Sequence, residues 1–523
     1  MKGAVSAGHR LTAEAGIDML NQGGNAFDAA IAAAFASFVC ESPLTSIGGG
    51  GFLMAHTAEG ETSLYDFFPN ISGLGSRTPK EELDFYPVDI DFTGTTQQFH
   101  IGKGSVAVPG CMAGFAKVFE NHCTLPIKTI LEPAIHYARQ GVTLNAQQAD
   151  FNSILSPILT LSSEGKAVYT PNGRRLKKGE VITKKNMADT IEELSRSGLE
   201  SFYRGSISDC IIGGFEDGGL ITREDLENYE VAIRKPLVLD YRGRKIFTNP
   251  PPSSSGGCLI AFSLKLLEKY DVAKLEHNRA DYLYLLMDVM KMTDEARGED
   301  FDHRIYENDI IGSFLSTENI GKYSQKLEND IPPKSLSTER PSTGNTTHIS
   351  VIDAAGNAVS VTTSNGEGCG HMIPGMGVML NNMLGEEDIN PHGFHTQPAG
   401  LRMSSMMSPT IVMCDGRPEI ILGSGGSNRI RNAILQVIIN LIDFKLPVEE
   451  AVNASRTHWD KSTFQVELGI SPSELEGLKK AASPVNYWDV KNMYFGGVHT
   501  VISENATLSG AGDARRGGIC LKN

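Results

Sequence analysis

The sequence predicts a layered α/β fold. Segments with helical periodicity alternate with short strand-like runs along the 523 residues. One helical segment, about residues 27–39, is apolar nearly all round and must therefore lie buried between other elements. Residues 346–364 read as two strands joined by a tight turn. Length alone suggests roughly three domains, but large layered α/β enzymes reach this size as one unit.

Taken in order, Thr12 is expected to cap a helix that starts near Ala13 and stops at Gly23-Gly24. The buried helix follows, then Gly48-Gly49-Gly50-Gly51 and a strand at Phe52-Leu53-Met54. That glycine run precedes a strand rather than a helix, so close backbone packing is the expected use of it. Residues 57–61 form a hairpin turn into Ser63-Leu64-Tyr65. Helical patterns cover residues 112–119, 130–139, 259–269 and 280–295, and Pro250 to Gly257 makes a rigid loop. The polar stretch 322–344, with Pro332, Pro333 and Pro341, reads as an exposed connector. Residues 346–353 and 358–364 are the two hairpin strands, with the turn at Ala354-Ala355-Gly356-Asn357. Glu419-Ile420-Ile421-Leu422 is a strand, 423–428 a glycine-serine loop and 429–444 a helix.

Surplus acidic groups give a formal charge of −15, which disfavours nucleic acid and anionic membrane surfaces as partners. The eight cysteines form no CxxC pair and no zinc-ligand spacing, so no metal is expected. The scattered cysteines fit a reducing compartment. With no signal-peptide pattern at Met1 to Val5, the expected location is cytoplasmic.

The hairpin register places Thr346 opposite Ser364 or Asn365. A threonine hydroxyl becomes a competent nucleophile when a base accepts its proton. The α-amine of the same residue can serve once the preceding peptide bond is cut. By itself, a strand threonine is an ordinary β-branched residue. The loop Gly423-Ser424-Gly425-Gly426-Ser427-Asn428 ahead of a helix suits a carboxylate, a phosphate or an oxyanion, although it lacks the GK[ST] ending of a P-loop and is also readable as a structural turn.

Together with Ser6-Ala7-Gly8-His9, the 23–30 and 41–50 segments, Gly104 to Gly110, the Pro250 to Gly257 loop, Thr346-Thr347-His348, Leu380-Asn381-Asn382 and Ser405 with Ser408-Pro409-Thr410, these motifs resemble the γ-glutamyltransferase (glutathione hydrolase) family over nearly the whole chain. The resemblance implies a four-layer αββα sandwich with antiparallel sheets, the N-terminal-nucleophile hydrolase fold. It implies autocleavage between Asn345 and Thr346, giving fragments 1–345 and 346–523 that remain one intertwined body. Thr346 would be the nucleophile, Ser364 would steady its amine, and Gly425 and Gly426 would hold the oxyanion. Glu386, with Glu387 as a register neighbour, would bind the substrate's α-amino group, and Ser405 its α-carboxylate. The implied substrates are a γ-glutamyl amide as acyl donor, with water or an amine as acceptor. No cofactor is implied.

Three positions depart from the family pattern. Its carboxylate-gripping arginine after an Asp-Phe pair falls on Phe68, its asparagine after the second strand on Gly366, where the adjacent Asn365 is a substitute, and its second binding serine on Met406. The stretch from Asn382 to Ser404 is also short for a lid. These changes spare the chemistry and strike recognition. They leave open an acylase for glutaryl-type or apolar acyl groups, and a binding protein that has lost turnover.

Overall fold

The computed structural model describes residues 2–91, 96–329, 345–481, 484–505 and 507–523. Two antiparallel sheets face each other and helices cover both outer faces, in four layers ordered α, β, β, α. In the first sheet the strands run Ile519–Lys522, Gly3–Ala7, Thr347–Asp353, Ala358–Ser364, Gly50–His56, Thr62–Phe67, Ala232–Arg234. In the second they run Thr507–Ala511, Gly497–Glu504, Arg417–Gly425, Thr410–Cys414, Arg244–Thr248, Leu237–Tyr241. Strands from either side of the Asn345–Thr346 bond therefore share both sheets, interleaved in the first and joined in the second where Arg244–Thr248 pairs with Thr410–Cys414.

The helix Ala26–Cys40 is buried at every position, as its apolar circumference requires. Asn25 and Asp28 close a capping box at its start. The preceding helix, Arg10–Asn21, departs from expectation: the ring of His9 caps it by accepting from the Leu11 N–H. Thr12 is instead drawn to a buried carboxylate, its hydroxyl donating to Glu41 Oε1 at 2.7 Å. The other outer layer is built from Gly256–Leu267, Ala280–Asp300 and Ile430–Ile442. The expected connector begins later than its polarity suggested, because residues up to Glu328 form the amphipathic helix Thr317–Glu328; residues 330–344, with the three prolines, lie outside the described residues.

The hairpin adopts the first of the two expected registers. Thr347 pairs with Thr363 and Ile352 with Ala358, so Thr346 stands opposite Ser364. Alternation along a strand then assigns the faces. Ile349, Val351, Val359 and Val361 pack among the helices. His348, Ser350, Ser360 and Thr362 face the second sheet, where Ser350 donates to the His499 carbonyl (3.0 Å) and Ser360 to that of Leu422 (2.9 Å). Thr346 and Ser364 belong to this inner face.

Two glycine runs work by close approach. A Cβ on Gly49 or Gly51 would fall 2.2 or 2.3 Å from the carbonyl oxygen of Ser364 or Thr362, as expected for the run before the strand. The second run differs from the sequence reading. The strand does not stop at Leu422 but continues through Gly425, because Gly423 and Gly425 give the second sheet room against the first. A Cβ on Gly423 would lie 2.4 Å from the His348 ring, and one on Gly425 2.0 Å from the Thr346 carbonyl oxygen.

Candidate active site

The Asn345–Thr346 peptide bond is buried at the end of the inner face. The Ser364 hydroxyl donates to the Asn345 carbonyl oxygen at 2.6 Å and receives the Thr346 hydroxyl at 3.3 Å. It also accepts from the Gly366 N–H at 3.1 Å. One serine thus polarises the carbonyl and orients the hydroxyl beside it. The next carbonyl, that of Thr346, accepts from Arg516 at 2.9 Å. On the opposite face Thr347 donates to Glu41 at 2.6 Å. Burial raises the Glu41 pKa, while its two threonine donors and nearby Arg516 pull it back down.

Thr346 and Ser364 open onto a cavity of about 250 Å³. Phe68 and Met406 form apolar parts of its wall, Glu386, Ser405 and Arg297 polar ones. Burial pushes the Glu386 carboxyl up to about 8, and the Asp388 carboxylate adds to the shift. The Ser405 hydroxyl accepts from the Met407 N–H at 3.1 Å. Gly426 adopts φ 126° just before the turn Ser427–Arg429. The stretch from Asn382 to Ser404, short for a lid, supplies one wall of the cavity through Ile389, Asn390, Pro391 and their neighbours.

Residues 12–522 match the family model described as Gamma-glutamyltranspeptidase. The chain belongs to the γ-glutamyltranspeptidase family. It is 31% identical over 540 residues to a glutathione hydrolase proenzyme of Escherichia coli (strain K12), covering 98% of this chain and 90% of that one. It is 29% identical over 483 residues to an acylase proenzyme of Pseudomonas sp. (strain SE83), covering 91% and 86%. Among solved structures, cephalosporin acylase from Bacillus halodurans superposes with a TM-score of 0.84 at 25% identity, covering 99% of this chain and 95% of that one. The αββα sandwich of antiparallel sheets is shared with these relatives.

Within this γ-glutamyltranspeptidase homologue the residues singled out from sequence separate into two groups. Thr346, Ser364, Asn345 and Gly425 meet at the Asn345–Thr346 bond, and Glu386 and Ser405 line the cavity beside it. Asn365 does not join them. Being next to Ser364 in the strand direction it projects the other way, and its amide points to the carbonyls of Met379 and Leu380 at 3.4 Å each. Gly366 has no room for the missing asparagine, since a Cβ there would fall 2.1 Å from both Asn382 Oδ1 and Glu386 Oε1.

Sequence reasoning missed three arginines. Arg402 donates to the Phe68 carbonyl (2.6 Å) and to Asp66, fixing the segment where the family's arginine is replaced. Arg297 reaches the cavity from Ala280–Asp300 and holds Asp302. Arg516 holds Thr346, and its signal was present: Arg515-Arg516-Gly517-Gly518 places charge immediately before a terminal strand, where two buried guanidinium groups need partners.

Proposed function

We propose that this protein is a self-cleaving amidohydrolase and acyltransferase whose acyl donor is a γ-glutamyl amide. The observation that carries the reading is the placement of the Thr346 hydroxyl, the Ser364 hydroxyl and the Asn345 carbonyl in one short chain of hydrogen bonds. In the first reaction the Thr346 oxygen attacks the Asn345 carbonyl carbon. The C–N bond breaks, the hydroxyl proton ends on the Thr346 nitrogen, and an ester joins the two residues. Water hydrolyses that ester, leaving an Asn345 carboxylate and a free Thr346 amine.

The fragments 1–345 and 346–523 stay associated because their strands interleave. In the second reaction the free amine accepts the Thr346 proton as the oxygen attacks the donor amide, then passes it to the leaving amine. Backbone N–H groups at Gly425 and Gly426 face the oxyanion. Water or an acceptor amine resolves the acyl-enzyme. Glu386 receives the donor's ammonium group and Ser405 lies on the carboxylate side.

A second reading has its own support. Phe68 and Met406 in the cavity wall, and the full-length likeness to a cephalosporin acylase, favour an acylase acting on a less polar donor. Comparing γ-glutamyl and glutaryl anilides separates the two, and faster turnover of the glutaryl compound would select the acylase. The self-cleavage itself is tested by intact mass under denaturing conditions. Wild type should give two fragments meeting at Asn345/Thr346, and Thr346→Ala one chain of 56.5 kDa. A wild type that stays whole on prolonged incubation would defeat the proposal.

A further inference from the structure

Beside the scissile bond lies a group of buried polar atoms that the proposed reaction does not use. Glu367 is 1% exposed, and among the described residues neither of its carboxyl oxygens has a partner in full hydrogen-bond geometry, although the Asn345 backbone and the Asn382 side chain approach it closely enough to lower its pKa. Among the described residues Glu386 Oε1 and both polar side-chain atoms of Asn345 are likewise buried without a hydrogen bond. Leaving such groups unpaired is costly, and four of these five atoms are carboxyl or amide oxygens, the fifth being the Asn345 amide nitrogen.

Backbone geometry brings them together. Ser364 ends its strand, Gly366 turns in the left-handed region at φ 59°, and the Glu367 N–H is fixed by Asn382 Oδ1 at 2.9 Å. Because Gly366 has no side chain, Glu386 Oε1 comes within 2.1 Å of where its Cβ would be. Burial, then the charge of Glu386, hold the Glu367 carboxyl well above the usual carboxylate range, and the nearby backbone of Asn345 partly offsets them. Glu386 lines the open cavity, whereas Glu367 does not; the buried Asn345 is packed against it instead.

We propose that Glu367 is a second carboxylate of the donor's ammonium subsite, shielded by Asn345 in the uncleaved chain and uncovered by self-cleavage, and that it makes the mature site select donors bearing an α-ammonium group over their des-amino analogues. An ammonium group supplies three N–H donors and a positive charge, which is what two close, unpaired carboxyl groups lack. Cleavage prepares the exchange. It breaks the peptide bond that ties Asn345 to the strand end and leaves it a chain-terminal carboxylate, whose charge is costly to keep in a buried flank already lined by two carboxyl groups, so the residue is free to leave for solvent. The inference rests on the γ-glutamyl reading above and names which residue enforces it.

The test is the ratio of kcat/KM for L-γ-glutamyl-p-nitroanilide to that for glutaryl-p-nitroanilide. In Glu367→Gln the ratio should fall roughly 10- to 100-fold, the range expected for losing a hydrogen bond to a charged group. The loss should appear in KM for the γ-glutamyl compound, with glutaryl turnover unchanged and partial recovery in Glu367→Asp. Glu386→Gln keeps Glu367 in place and should retain a ratio above one; this readout decides the matter if Glu367→Gln fails to mature. An unchanged ratio in Glu367→Gln, or a ratio of one in Glu386→Gln, would overturn the assignment. A wild type that turns over neither anilide, or prefers the glutaryl one, would instead defeat the γ-glutamyl reading on which it stands.

Discussion

Gly425→Ala isolates the role of close approach between the sheets. The added Cβ would lie 2.0 Å from the Thr346 carbonyl oxygen and 2.8 Å from its carbon. Both are backbone atoms in a strand end that Arg516 already ties down, so no side chain can swing aside. Relief to 3.0 Å, the shortest separation real Cβ atoms show, needs a displacement of about 1 Å at Thr346. A misplacement of that size costs on the order of 10²-fold in rate when a reacting group is involved, and overpacking of this kind costs about 1–3 kcal/mol of stability. Self-cleavage, followed by intact mass on freshly purified protein, should therefore slow about 100-fold, with a lowered melting temperature. A variant that melts lower but cleaves at the wild-type rate would refute the link between this glycine and the position of Thr346.

Two further outcomes follow from the site. Ser364→Ala removes the donor to the Asn345 carbonyl and the partner of the Thr346 hydroxyl, so fragment appearance should slow by about 10²–10³, the effect of deleting one oxyanion donor; Ser364→Thr, which keeps the hydroxyl, should cleave near the wild-type rate, and equal slowing in both would show that shape rather than the hydroxyl matters. Glu386 carries a pH signature: its carboxyl is raised from 4.5 to about 8 on folding, so between those values the folded state binds the extra proton and stability falls as pH rises. Melting temperature should decline from pH 5 towards 8, and Glu386→Gln should flatten that decline; an equally steep curve in the variant would remove Glu386 as its source.

What the sequence makes legible here is what short-range rules decide. The hairpin could be placed because a tight turn fixes register, and period-two alternation then puts Thr346 and Ser364 on one face. The helix Ala26–Cys40 could be placed because an all-apolar surface has only one environment. The glycine run before the strand was readable for the same local reason. The run 423–425 was not, since glycines that open a loop and glycines that let two sheets touch look alike until the neighbour is known, and the neighbour of Gly425 is 79 positions away in sequence at Thr346. His9 displaces Thr12 as a cap only because Glu41, buried beside both Thr12 and Thr347, takes the threonine hydroxyl.

The same distinction explains the recognition residues. Position-by-position likeness to a family carries over side chains but not the direction in which a strand presents them. Asn365 was a plausible substitute for an asparagine missing one place later, yet alternation turns it from the cavity towards Met379 and Leu380. Glu367, two places further along the chain, was overlooked because nothing in its local sequence announces a partner; its meaning lies in burial beside Asn345 and Glu386 without a well-formed hydrogen bond among the described residues. A buried carboxyl with no well-formed hydrogen bond among the described residues, beside a peptide bond arranged to break, is costly in the uncleaved chain and useful only if something later fills the space. The unsatisfied flank of the precursor is thus the complement of the group the mature enzyme is to bind, and specificity in this chain is built by the residue that cleavage exposes as much as by those already lining the cavity.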